Sequence, residues 1–67
     1  MNYKVVVHRE LKGGYWAEVP ALPGCVSQGE TLKELEDNVR EAMAGYLEVL
    51  REEGREPEEI QVLEIAL

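Results

Sequence analysis

The side chains in this 67-residue sequence that bear on chemistry are its carboxylates, a single histidine (His8), a single cysteine (Cys25) and the adjacent aromatics Tyr15 and Trp16. Glu10 and Glu18 stand on either side of Gly13-Gly14 and could face each other across a hairpin, where paired carboxylates are the beginning of a magnesium-dependent hydrolytic site. Such a site needs further carboxylates from neighbouring elements, and the strand-like segments supply none, so a solvated surface pair is the simpler reading. Cys25 as a nucleophile would need an adjacent base, and the one histidine lies in a different segment; a buried packing role is expected instead. His8 itself can pair with Glu10 or Glu18 or respond to pH, but a lone strand histidine more often fills a surface or edge. One cysteine forbids an internal disulfide, and one cysteine with one histidine forbids a structural zinc site. No catalytic residue, metal or cofactor is expected.

The elements that would position these groups follow from spacing. Tyr3, Val5 and Val7 alternate with polar neighbours and predict a first strand over residues 2–10. Lys12-Gly13-Gly14 tolerates the positive φ of a tight hairpin, which returns the chain as a second strand, Tyr15 to Val19. Pro20 and Pro23 bracket a rigid bend, since proline fixes φ and removes backbone donors. Cys25 to Gln28 then forms a short third strand closed by Gly29. Along the second strand Tyr15 and Trp16 point to opposite sheet faces, so one enters the core and the other lies on an uncovered face.

Thr31 stands three residues before Glu34, the spacing of a capping box in which the threonine hydroxyl accepts from the Glu34 N–H and the Glu34 carboxylate returns to the Thr31 N–H. Leu32, Leu35, Val39, Ala42, Met43, Tyr46, Leu47 and Leu50 recur every three or four residues and predict one buried stripe of a helix over about 32–53. Glu36 and Arg40 are an i,i+4 pair on the solvent side. Gly54 and Pro57 end the helix. The apolar run over residues 60–67 predicts a fourth strand, with Leu63, Ile65 and Leu67 on one side and Val62 on the other.

Composition narrows the function. Fourteen acidic against seven basic residues give a net charge of −7, which opposes contact with a phosphate backbone and disfavours direct nucleic-acid binding. No run approaches the ~18 apolar residues of a membrane span, and the N-terminal residues lead straight into strand-like sequence. A soluble, cytoplasmic single domain is expected. Chains of about this size bury only about 60% of the surface exposed on unfolding, which favours self-association.

The run Tyr15-Trp16-Ala17-Glu18-Val19-Pro20-Ala21-Leu22-Pro23-Gly24-Cys25-Val26-Ser27-Gln28-Gly29-Glu30-Thr31 resembles the signature of HicB-type antitoxins, in which an aromatic-Ala strand leads to P-x-L-P-G-C-x-S-x-G-x-T. The following helix resembles the family's at Glu34, Asn38 and Glu41-Ala42. Ala21 and Leu35 depart from the residues often found at their places, an acidic residue and an alanine. The resemblance implies a β-β-β-α-β fold similar to a truncated ribonuclease-H-like sheet, and neutralisation of a small basic HicA-type toxin that degrades messenger RNA. Many relatives carry a C-terminal DNA-binding module that this sequence lacks, so a stand-alone member without DNA binding is expected; the alternative is a structural or regulatory homo-oligomer with no toxin.

Two sets of contact residues follow. A toxin that handles RNA should be basic at its substrate surface, so Glu34, Asp37, Glu41 and Glu48 on the solvent side of the helix are the candidates for attracting it. A sheet covered by one helix leaves its other face open and predicts a two-fold homodimer. Tyr15 or Trp16, with Val62 or the row Leu63, Ile65 and Leu67, would supply that contact.

Overall fold

A computed structural model describes residues 2–57 and residue 66 of the chain. Three strands, β1 (Val6–Arg9), β2 (Tyr15–Glu18) and β3 (Val26–Gly29), precede one helix, α1 (Leu32–Glu52). The strands form an antiparallel sheet in the order β1-β2-β3, so the α+β class, the meander and the long helix stand as the sequence predicts. The first strand is shorter than the 2–10 expected. The fourth strand expected over residues 60–67 lies outside the described residues apart from Ala66, which is exposed.

The hairpin turn closes through glycine. Gly13 and Gly14 adopt φ of 105° and 82°, a region a β-carbon resists, and Glu10 N–H donates to the Gly14 carbonyl at 3.0 Å. The register sets Val6 opposite Glu18, Val7 opposite Ala17, His8 opposite Trp16 and Arg9 opposite Tyr15. Glu10 therefore sits at the turn beside Gly14 while Glu18 faces Val6, and the two carboxylates are not opposed across the hairpin. Between β2 and β3, Leu22 N–H donates to Val19 O and Cys25 N–H to Leu22 O, both at 2.9 Å. This bend turns Leu22 inward, where it is fully buried.

Thr31 caps the helix: its Oγ1 accepts from Glu34 N–H at 3.1 Å. The reciprocal bond differs from the expected box, because the Glu34 carboxylate accepts from Glu30 N–H at 3.4 Å and not from Thr31. Thr31 is extended (φ −125°, ψ 162°), and the carboxylate reaches the amide one residue further back. At the far end Gly54 has φ 69°, and Arg55 N–H donates to Leu50 O at 2.8 Å. That six-residue bond is the Schellman closure that satisfies a terminal carbonyl.

The core is Ala17, Val19, Leu22, Cys25, Leu35, Val39 and Leu50, with Tyr3, Tyr15, Ala42, Met43, Tyr46 and Leu47 packed around it. The predicted helical stripe is therefore the packed one, except that Leu32 is 57% exposed. The cause is the seat of the helix, which lies over β3 and part of β2 and leaves β1 uncovered on that side. Gly29 permits that seat: a β-carbon there would stand 2.5 Å from Leu35 N and 2.8 Å from Leu35 Cα. Any side chain would push the first helical turn off the sheet.

Candidate functional site

Strand parity sorts the side chains into two faces. Ala17 is buried beneath the helix, so Tyr15 and Val19 share its side and pack in the core, while Trp16 and Glu18 point the other way. Directly opposed residues share a face, and His8, Val6, Val26 and Gln28 therefore join Trp16 and Glu18. Among the described residues no element covers this face. Of the two aromatics considered for an interface, Trp16 is the one placed here; Tyr15 belongs to the core.

The centre of the open face is organised. The His8 and Trp16 rings stack at 4.0 Å between centroids with a 10° interplanar angle, and His8 Nε2 lies 3.3 Å from Glu18 Oε1. The indole is thus held flat by its cross-strand partner, and the imidazole is held by the carboxylate. Val6 and Val26 flank the group and are exposed by 40% and 58%. Apolar side chains around a fixed, half-buried tryptophan make a surface suited to another protein.

The solvent side of α1 carries the acidic candidates, and they are not equivalent. Asp37 is held by Lys33 Nζ through both oxygens, at 2.7 and 2.8 Å. Glu34 serves the cap. Glu36 and Arg40 form the expected pair at 3.0 Å. Glu41 and Glu48 are exposed and form no ion pair among the described residues, so of the four they present unscreened charge.

A third surface brings together Glu41 and Ala42 from the helix with strand residues that sequence spacing did not join to them. Between α1 and β3 runs an open groove of about 750 Å³ lined by Asn38, Glu41, Ala42, Gly45, Val26 and Ser27, among others. Asn38 Nδ2 donates to the Gln28 carbonyl at 2.7 Å, tying helix to strand edge, and Tyr46 Oη donates to Pro23 O at 2.8 Å.

Among the described residues no three His, Cys, Asp or Glu side chains gather where they would hold a metal ion. Cys25 is buried, and burial pushes its thiol above the ordinary value, which keeps it neutral and a poor nucleophile. No described helix is long and apolar enough to cross a membrane.

The family model described as "HicB_like antitoxin of bacterial toxin-antitoxin system" matches residues 3–66. A UPF0150 protein of Archaeoglobus fulgidus is 39% identical over 66 residues, covering 97% of this chain and 96% of the relative. A UPF0150 protein of Thermoplasma acidophilum is 45% identical over 51 residues, 76% of this chain and 74% of the relative. A third, from Synechocystis, is 49% identical over 49 residues, 73% and 62% respectively.

Proposed function

The chain belongs to the HicB-like antitoxin family of bacterial toxin–antitoxin systems, and on that premise we propose that it neutralises a small, basic, HicA-type toxin that degrades messenger RNA. The family match along nearly the whole chain carries this reading. The physical properties of the molecule support it. A protein that grips RNA presents positive charge, and a partner of net charge −7 competes for that surface and approaches it quickly. Glu41 and Glu48, which form no ion pair among the described residues, supply more of that attraction than Asp37, which is held by Lys33, or Glu34, whose carboxylate accepts from the Glu30 amide. Neutralisation then needs no chemistry, only occupation of the toxin's substrate surface.

The same reading includes self-association. The open face around Trp16, with Val6 and Val26 exposed beside it, supports a two-fold homodimer in which each tryptophan packs on the partner's sheet. Val62, Leu63, Ile65 and Leu67 remain candidates for the same contact.

Co-expression of the chain with the product of the adjoining gene tests the toxin reading. Growth arrest caused by that product alone and relieved by this chain is the expected result. An adjoining product that is not toxic and does not bind returns the chain to the alternative, a regulatory homo-oligomer without a toxin. Sedimentation at micromolar concentration tests the dimer, and a monomer mass rejects it.

A further inference from the structure

The outer edge of β3 is open among the described residues. Val19 N–H donates to Cys25 O, and hydrogen-bonded pairs alternate along an antiparallel ladder. Ala17–Ser27 and Tyr15–Gly29 are therefore the bonded pairs, and the N–H and C=O of Val26 and Gln28 turn away from β2. β3 is the last strand on this side of the sheet among the described residues. Asn38 satisfies the Gln28 carbonyl. The Val26 N–H, the Val26 carbonyl and the Gln28 N–H find no partner among the described residues. Three outward groups at alternate positions match the spacing of an added strand.

The helix leaves room for that strand. Gly45 lies inside α1, where glycine is less favourable than alanine, and nothing in the fold requires it: its φ is ordinary and a β-carbon there would meet nothing within 4 Å. Gly45 and Ala42 line the groove beside the β3 edge. A glycine the fold does not need, next to an open strand edge, is explained by the close approach of a second backbone.

Charge selects the occupant. Of the ionisable groups in the groove, Glu53 and Arg55 pair at 3.0 Å, which leaves Glu41 uncompensated. A second copy of this chain would bring a further −7 to the same place. We infer that the β3 edge and the groove beside it bind an extended, basic segment of a protein partner by strand addition, with the partner's backbone bonded to Val26 and Gln28 and its cationic side chains near Glu41. This rests on the reading of the chain as a protein-binding module and locates where that binding is made.

The test uses the full chain and a ten-residue peptide of alternating valine and lysine, beside the same peptide with its backbone nitrogens methylated, equal in charge. Amide exchange read by NMR should show Val26 and Gln28 unprotected in the free chain and protected by the first peptide, with Ser27 unchanged. The methylated peptide should bind at least tenfold more weakly. Val26→Pro removes one outward donor at a strand-edge position that tolerates proline, and Gly45→Leu fills the groove while favouring the helix; both should keep the native circular dichroism and lose peptide binding. Equal binding of the two peptides, or binding unaffected by both substitutions, overturns the inference. Protection of Val26 and Gln28 already present in the free chain also overturns it, since the chain itself or a second copy then covers the edge. A toxin that binds the wild type and both variants alike defeats this inference and leaves the antitoxin reading standing, whereas a toxin that binds none of them defeats that reading.

Discussion

The two faces of the sheet use the same strands for opposite ends. Under the helix, Ala17 and Val19 are small, and much of the packing is supplied from outside the strands by Leu22, Leu35, Val39 and Leu50. On the other face Val6, Trp16 and Val26 lie among His8, Glu18 and Gln28, with no element over them among the described residues. One face accounts for the folding of the chain, and the other is a surface whose apolar groups gain nothing until something covers them. Substitutions on the two faces should therefore separate stability from association.

The largest effect expected is on the closed face. Leu22→Ala empties the most completely buried side-chain position and should cost about 2–5 kcal/mol, and Gly29→Ala should be comparably severe because its new methyl group meets the Leu35 backbone at 2.5 Å. Chemical denaturation reads both. A shift in midpoint within error for either would mean that the helix is not seated on β3 as described.

Trp16→Ala is the matching change on the open face. It should lower the stability of the monomer by less than Leu22→Ala does, while abolishing self-association in sedimentation experiments. Equal loss of both properties would erase the distinction between the faces.

The capping threonine comes next: Thr31→Ala removes one bond to the Glu34 amide and should cost about 0.5–2 kcal/mol. The smallest effect is expected at Lys33 and Asp37, an exposed pair whose removal should change stability by less than about 1 kcal/mol.

Cys25 reports on the closed face through its ionisation. Burial raises its pKa in the folded chain, so the unfolded thiol ionises first as pH rises, and folding binds the proton more tightly. Stability is therefore undiminished below the unfolded pKa and falls as pH rises above it. A thiol reagent should react much more slowly with the native than with the denatured chain at neutral pH. Equal rates would place Cys25 at the surface.

What the sequence made legible was whatever depends on local spacing. The alternation around Tyr15 and Trp16, the Gly13-Gly14 turn, Thr31 before Glu34 and the three-four spacing from Leu35 to Leu50 each fix a local conformation by a short-range rule, and each is found. What was not legible depended on register and on where the helix sits. The offset between Glu10 and Glu18 is set by the turn length, and the exposure of Leu32 by the helix lying over β3 and not β1. The outward amides of Val26 and Gln28 carry no side-chain signature, because every strand has such groups and only the sheet order decides which are left open. Which aromatic faces outward likewise needed one buried residue, Ala17, to fix the parity.

The proposed function has this acidic module binding a basic protein, and the rate of that binding tests it most directly. Stopped-flow association with the product of the adjoining gene should be fast at low ionic strength and slow several-fold by physiological salt. Replacing Glu41 and Glu48 with lysine should reduce the rate and flatten its dependence on salt. An association rate that is the same at both ionic strengths and in both proteins would contradict the electrostatic account, and the absence of any binding would contradict the proposed function itself.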